Sequence, residues 1–171
     1  MNDERVERGK MNLLFLDIDG VLNSARSMTA LGKHSSPQED VRETNFDPVA
    51  VGLLRKLCKE CDLRIFIHSS WWSPGYRVDK KYMTAAFRLH GWKQPRVVGG
   101  ASREERAERI SRGLREHKPK DYIILDDADM RPHFDSHAIV VNPMEGFSFN
   151  NYAEAMRHFG KKEGVFLRYS F

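Results

Sequence analysis

One stretch decides the fold of this chain: Asn12-Leu13-Leu14-Phe15-Leu16-Asp17-Ile18-Asp19-Gly20-Val21-Leu22-Asn23. Its apolar run, 13–16, predicts a strand buried on both faces, as in the centre of a parallel sheet. The period of two in a strand sends Asp17 and Asp19 toward the same side, and Gly20 allows a sharp turn and close approach of a ligand. Two adjacent carboxylates repel each other unless a cation or a shared proton relieves them. Taken alone, the pattern fits a polar turn as well as a catalytic site.

Length and composition predict a single domain with a substantial core. The chain has 171 residues and a net charge of +4, which is compatible with a phosphorylated or polyanionic partner but does not require one. Residues 1–10 are charged and are expected to form a flexible tail, followed by one domain over 11–171. The N-terminus does not resemble a secretory signal and no apolar run approaches a membrane span, so we expect a cytoplasmic protein with no membrane partner.

Apolar runs alternate with segments of helical periodicity along the rest of the chain. After the opening strand, further strands are predicted at 63–68, 96–99, 121–127 and 137–142, and helices at 48–58, 80–90, 102–117 and 151–159. This alternation predicts a three-layer α/β fold whose five-stranded sheet is mainly parallel. The polar segment 24–45 is expected to be a loop or small flap, and the apolar tail 164–171 has no predicted position.

Local signals refine these boundaries. Asp47 is predicted to cap the first helix, and Ser102-Arg103-Glu104-Glu105 reads as a capping box that opens the third. Gly113 is expected to weaken that third helix, and Asn150-Asn151 to cap the last one. The pair Cys58 and Cys61 lacks the second pair that a structural zinc site needs, so a buried Cys58 and an incidental Cys61 are expected.

Three predicted strands end in polar, chemically reactive residues at the same edge of the sheet. The first ends in Asp17-Ile18-Asp19, the second in Ser69-Ser70 and the fourth in Asp126-Asp127. In a parallel α/β sheet, ligands bind at the carboxyl ends of the strands. Several carboxylates at one edge predict a bound cation, and oxygen ligands without clustered histidines indicate Mg²⁺.

These motifs resemble the haloacid dehalogenase (HAD) superfamily of phosphohydrolases. The order Asp17-Ile18-Asp19-Gly20-Val21-Leu22, then Ser69, then Asp126-Asp127 spans nearly the whole chain. The finer pattern, with Ser69-Ser70-Trp71 and Arg106-Ala107-Glu108-Arg109-Ile110, is similar to the small HAD domains of RNA-repair and polynucleotide phosphatase proteins. The resemblance implies a Rossmann-like HAD fold without a large cap domain.

The resemblance also implies a role for each motif. Asp17 would be the nucleophile that forms an aspartyl phosphate, and Asp19 would protonate the leaving oxygen and then activate water. Ser69, or Ser70 as the alternative, would bind a phosphoryl oxygen. The implied metal ligands are Asp17, the main-chain carbonyl of Asp19, Asp126 and Asp127, and the implied substrate contacts are Gly20, Ser70, Trp71 and Trp72.

The chain departs from the family pattern at two positions. The family places a cation, usually lysine, before the fourth strand, and here Arg106 is the preferred candidate because arginine offers a bidentate fork to phosphate. Lys118 and Lys120 are alternatives, but they lie at the opposite end of the predicted strand. Trp72 stands where nearer relatives tend to carry arginine, so Trp71 and Trp72 could stack on a base or sugar, or could simply pack.

The predicted function is therefore a magnesium-dependent, uncapped phosphatase that acts on phosphomonoesters. By resemblance, the first candidate substrate is the terminal phosphate of a nucleic acid, followed by a nucleotide and then a phosphoprotein. The alternative is a degenerate HAD fold that binds a metal and a partner without turnover, which the missing lysine favours and the intact Asp17-Ile18-Asp19 motif opposes. A phospho-accepting receiver domain ranks lower, because here the acidic pair ends the fourth strand. The sequence does not indicate an oligomeric state.

Overall fold

A computed structural model describes residues 11–162, which form a five-stranded sheet with helices on both faces. The strands are β1 (Asn12–Leu16), β2 (Leu63–Ile67), β3 (Val97–Gly100), β4 (Asp121–Asp126) and β5 (Ala138–Val140). The helices are α1 (Ala25–Leu31), α2 (Pro48–Glu60), α3 (Lys80–Leu89), α4 (Arg106–His117), α5 (Arg131–Phe134) and α6 (Phe149–His158). Single 3₁₀ turns lie at Val41–Glu43, Ser70–Trp72 and Asp135–His137. The predicted tails 1–10 and 164–171 lie outside the described residues.

The sheet order is β3-β2-β1-β4-β5, and every pair is parallel. Strand β1 is central, with Leu14 aligned with Ile65 of β2 and with Ile123 of β4. The α/β class and the Rossmann-like arrangement are confirmed, and the sheet is wholly parallel instead of mainly parallel. None of the helices within 11–162 is long and apolar enough to cross a membrane.

Alternate residues of β1 belong to two separate hydrophobic cores, one on each face of the sheet. Leu14 and Leu16 belong to the larger core with α2, α3 and α6, whereas Leu13 and Phe15 belong to a smaller core that includes Ile110 of α4. These four β1 side chains are completely buried. The predicted strand buried on both faces is confirmed, and the two cores make the fold three-layered.

Two predicted helix starts are wrong. Helix α4 begins at Arg106, and no side chain caps it at Glu105, so Ser102 does not open the helix. Ser148 caps α6, and its side chain accepts a hydrogen bond from the backbone N–H of Asn151. The side chain of Asn151 in turn accepts a hydrogen bond from the backbone N–H of Ser148. Asn151 is thus the third residue of a capping box and not the cap. The prediction at Asp47 is confirmed, since its carboxylate accepts from the backbone N–H groups of Val49 and Ala50.

Two further expectations are revised, and the expected burial of Cys58 is confirmed. Residues 24–45 are not simply a loop, because they contain α1 and a 3₁₀ turn. Gly113 does not shorten α4, which continues to His117. A Cβ at Gly113 would lie 2.5 Å from Cε1 of Phe15, so the glycine lets α4 pack directly on the sheet. Cys58 and Cys61 are both buried and unpaired thiols.

Candidate active site

Asp17 is the first residue after β1 and forms the floor of the site. Its backbone N–H donates to the carbonyl of Leu125 at 3.0 Å, and only 3% of the residue is exposed. Its Oδ1 accepts from the Ile18 backbone N–H at 2.8 Å, and the Ser69 side chain donates to the carboxylate. Burial raises the pKa of Asp17, while the Arg106 guanidinium and these two hydrogen bonds oppose the increase. The carboxylate is thus desolvated but held in place by donors.

Arg106 brings a positive charge to this floor. It is the first residue of α4, which returns from the carboxyl edge of the sheet, so the start of the helix lies beside the ends of β1 and β4. Its Nη1 is 2.9 Å from Oδ2 of Asp17, contacts Oδ1 of Asp126 and lies 3.5 Å from Oδ1 of Asp127. One guanidinium nitrogen therefore faces three carboxylates.

Those three carboxylates form an oxygen cluster around the Arg106 guanidinium nitrogen. Asp17, Asp126 and Asp127 each place an oxygen within 4.8 Å of the other two. Burial, together with the charge of Asp17, raises the pKa of Asp126 well above its ordinary value. Its buried Oδ2 has no hydrogen-bond partner within residues 11–162. Three carboxylates against one guanidinium leave excess negative charge, and this donor set suits Mg²⁺.

Gly20 allows Asp127 to approach the turn after β1. Its φ is +75°, and a Cβ built there would lie 2.6 Å from Oδ2 of Asp127. Any side chain at this position would therefore displace the carboxylate or the turn. The predicted role of Gly20 as a direct substrate contact stays a prediction, while its packing against Asp127 is a property of the fold.

Asp19 points into a different environment from Asp17. Its Oδ2 accepts from Nε1 of Trp71 at 3.0 Å, and its Oδ1 accepts from Nδ2 of Asn23 at 3.0 Å. Nε2 of His34 lies 3.8 Å from the same Oδ1. About half of the Asp19 side chain, 47%, is exposed. Asp19 is thus positioned by neutral donors at the open side of the site, and its carboxylate is not part of the three-carboxylate cluster among the described residues.

The two tryptophans occupy unequal positions. Trp71 is 1% exposed and packs against Phe46, so its ring is not available to stack on a ligand, and that alternative is wrong for Trp71. Trp72 is half-buried, and a Cβ at Gly100 would lie 2.3 Å from its Cδ2. The glycine at the end of β3 therefore makes room for the Trp72 ring.

The structure distinguishes the two candidate serines by burial and places both candidate lysines at the far end of the sheet. Ser69 is buried at the end of β2 and bonds to Asp17, whereas Ser70 is exposed. Lys118 ends α4, and the backbone N–H of Lys120 donates to the carbonyl of Met11, just before β1. Both lysines thus lie at the amino end of the sheet, away from the carboxylates.

Two histidines next to the site were not anticipated in their observed positions. His68, the last residue of the second predicted strand, is 1% exposed, and its Nδ1 lies 3.6 Å from Oδ2 of Asp126. Burial and the nearby Arg106 lower the pKa of His68 to about 3, so it is neutral. His34 lies in the polar segment 24–45, which has no periodicity that would have placed it near Asp19.

Comparison with known proteins gives one assignment. No curated protein and no solved structure matches the chain significantly. The family described as "HAD domain in Swiss Army Knife RNA repair proteins" matches residues 13–151, which include every candidate site residue discussed above. The family supports a HAD-type phosphohydrolase in general terms. On this match the chain belongs to the HAD domains of Swiss Army Knife RNA repair proteins.

Proposed function

We propose that this domain is a magnesium-dependent phosphatase that cleaves phosphomonoesters through a phosphorylated Asp17. The observation that carries the proposal is the arrangement around the buried Asp17: a guanidinium nitrogen at 2.9 Å, a donating Ser69 side chain and two further carboxylates. A buried nucleophile beside a fixed cation is suited to an anionic substrate, because the cation offsets the repulsion between the two.

The proposed reaction has two steps. An Asp17 carboxylate oxygen attacks phosphorus, the bond from phosphorus to the leaving oxygen breaks, and Asp19 gives that oxygen its proton. Water then attacks the phosphorus of the aspartyl phosphate, Asp19 accepts the water proton, and the P–O bond to Asp17 breaks to release phosphate. Arg106 and Ser69 would hold the phosphoryl oxygens in both steps.

Mg²⁺ would be held by Asp17, Asp126 and Asp127, and when bound it would neutralise charge on the phosphoryl group. The buried Asp126 Oδ2, which lacks a hydrogen-bond partner within 11–162, supports this assignment. The main-chain carbonyl of Asp19 stays a predicted fourth ligand. Arg106 replaces the lysine usual in the superfamily, and its contact with Asp17 argues against the degenerate, non-catalytic alternative.

The proposed substrate is a phosphate at a nucleic-acid end, or on a nucleotide. Two observations support it: the family is described by its occurrence in RNA repair proteins, and the site is open. Between Leu22 and Asp47 the chain forms only α1 and a 3₁₀ turn, which is too little for a cap domain. Asp19, Arg106 and Asp127 keep 47%, 43% and 30% of their side chains exposed, so a bulky substrate can approach.

Hydrolysis of a chromogenic phosphomonoester and of 3′- and 5′-phosphorylated oligonucleotides tests the proposal. Activity should require Mg²⁺ and disappear in Asp17→Asn, and acid-quenched protein should carry phosphate on Asp17. Asp129→Asn is the matched control, because Asp129 is exposed and paired with Arg131 outside the cluster. If wild-type protein binds Mg²⁺ but hydrolyses none of these substrates, the non-catalytic binding module is the better description.

A further inference from the structure

We propose a second metal site, for Zn²⁺ or a similar transition-metal ion, formed by Asp121, His137 and His158. Nε2 of His158 lies 3.2 Å and Nε2 of His137 lies 3.7 Å from the same Oδ1 of Asp121. Each of the three residues places a ligand atom within 4.8 Å of the other two. Two imidazole nitrogens from different elements thus converge on one carboxylate oxygen.

This site is separate from the proposed phosphatase site. Asp121 begins β4, whereas Asp126 ends the same strand and belongs to the carboxylate cluster. Five residues of extended chain separate them by about 17 Å. His137 is the last residue of the 3₁₀ turn before β5, and His158 is the last residue of α6. A metal here would tie the end of α6 to the β4–β5 edge of the sheet.

The interatomic distances fit a tetrahedral ion. Zn²⁺ binds imidazole nitrogen at about 2.0–2.1 Å and carboxylate oxygen at about 2.0–2.2 Å, which places neighbouring ligand atoms of a tetrahedron about 3.3–3.5 Å apart. The observed 3.2 and 3.7 Å lie on either side of this value. Two nitrogens and one oxygen favour Zn²⁺ over Mg²⁺, whose preferred ligands are oxygens.

Neighbouring groups hold the ligands in place. The His137 ring stacks on Tyr122 with centroids 4.2 Å apart and planes 13° apart, and the Tyr122 backbone N–H donates to Oδ1 of Asp121 at 2.8 Å. The His158 ring meets Phe159 edge-on at 4.9 Å. The hydrogen bond to Asp121 is of the kind that orients ligating carboxylates in known metal sites, and the ring contacts restrict how the two imidazoles can turn. The Asp121, His137 and His158 side chains are 36%, 34% and 14% exposed, so water can supply the fourth ligand.

Cobalt titration of the full, untagged chain tests the site. The protein is stripped with a chelator, given saturating Mg²⁺ to fill the carboxylate cluster, and titrated with Co²⁺. We expect one equivalent to give the visible spectrum of four-coordinate Co²⁺, and Zn²⁺ to displace it. His137→Gln and His158→Gln should each weaken Co²⁺ binding by at least about 10-fold. His133→Gln, a substitution of an exposed histidine four positions before His137 in the chain, should leave Co²⁺ binding unchanged.

Two further measurements do not depend on the spectrum. At Zn²⁺ concentrations of about 100 times Kd, the melting temperature of wild-type protein should rise by about 5–10 °C. In side-chain NMR, Zn²⁺ should shift the ring signals of His137 and His158 among the seven histidines. Wild-type protein without a four-coordinate Co²⁺ spectrum, or Zn²⁺ that moves neither ring, would overturn the proposal and leave these residues as a hydrogen-bonded network. Neither result depends on phosphatase activity.

Discussion

Replacement of Arg106 tests the site directly, because its guanidinium group is expected to contribute both to the stability of the fold and to catalysis. Nη1 is the positive group that contacts the carboxylates of both Asp17 and Asp126, which are 3% and 1% exposed. Arg106→Ala leaves these two buried carboxylates and the nearby Asp127 without this cation. Arg106→Lys restores a charge but not the planar fork.

The loss of stability follows from these contacts. A hydrogen bond to a charged group contributes about 1.5–3 kcal/mol, but 43% of the Arg106 side chain is exposed and solvent screens its charge. We therefore expect Arg106→Ala to lower the free energy of unfolding in chelator by about 1–3 kcal/mol, or the melting temperature by about 2–12 °C. Saturating Mg²⁺ should reduce this loss, because the ion would supply positive charge to the same carboxylates.

The loss of activity has a different origin. If Arg106 holds the phosphoryl oxygens in the transition state, its removal should lower kcat at saturating Mg²⁺ by about 10²–10³-fold, the usual effect of losing one such donor. Arg106→Lys should fall between the alanine variant and the wild type.

Denaturant unfolding and steady-state hydrolysis of a chromogenic phosphomonoester measure the two effects. Arg115→Ala is the control on the same helix, since Arg115 is 62% exposed and its guanidinium pairs with Glu108 at the helix surface, away from the carboxylate cluster. If Arg106→Ala reduces kcat no more than Arg115→Ala does, Arg106 does not supply the catalytic cation.

Three other substitutions probe the rest of the site. Gly20→Ala places a Cβ 2.6 Å from Oδ2 of Asp127 at a φ of +75°, so Mg²⁺ affinity measured by calorimetry should fall by about 10-fold or more. Trp71→Phe removes the N–H that lies 3.0 Å from Asp19, and kcat should fall about 10- to 100-fold with little change in KM; an unchanged kcat would contradict a positioning role. The pKa of His68 is lowered from 6.5 to about 3 in the folded protein, so between these pH values the unfolded chain binds a proton that the folded protein does not. The stabilisation from the neutral His68 is therefore complete above about pH 6.5, and it is lost as pH falls toward 3 by up to about 1.4 kcal/mol per pH unit. His68→Asn should flatten this acid dependence in urea unfolding between pH 7 and 4.

The fold was largely predictable because four of the five strands, β1, β2, β4 and β5, are apolar runs that lead into polar residues. The errors came from contacts between distant residues. The predicted capping box would pair Ser102 with Glu105, but Glu105 is itself the residue before α4 and its side chain makes no cap hydrogen bond. Glu104, between the two, is held instead by Arg112 and Arg109 further along the helix. Gly113 was expected to weaken α4 because glycine has a low helix propensity. In the structure the helix continues past Gly113, and the missing side chain lets α4 pack closely on Phe15.

The candidate site was predictable as a set of strand ends but not as a set of contacts. Parallel strands bring Asp17, Ser69 and Asp126 to one edge, and this follows from the order of the motifs. The contact of Arg106 with Asp17 spans 89 positions, so no local pattern encodes it, and only the family resemblance pointed to Arg106. The bond from Trp71 to Asp19 is equally nonlocal, so a residue that looked like a stacking platform instead orients a carboxylate.

The different surroundings of Asp17 and Asp19 supply a physical reason for unequal roles. Strand β1 ends at Leu16, so both carboxylates lie beyond the regular alternation that would make them equivalent. Burial raises the pKa of Asp17, and the permanent positive charge of Arg106 opposes that rise and so favours the ionised carboxylate that would attack phosphorus. Asp19 is half-exposed and is held by the neutral donors Trp71 and Asn23, which fix its position without pairing it to a permanent charge. Burial and partner charge therefore support the proposed division into nucleophile and proton shuttle, as the order of the motifs does.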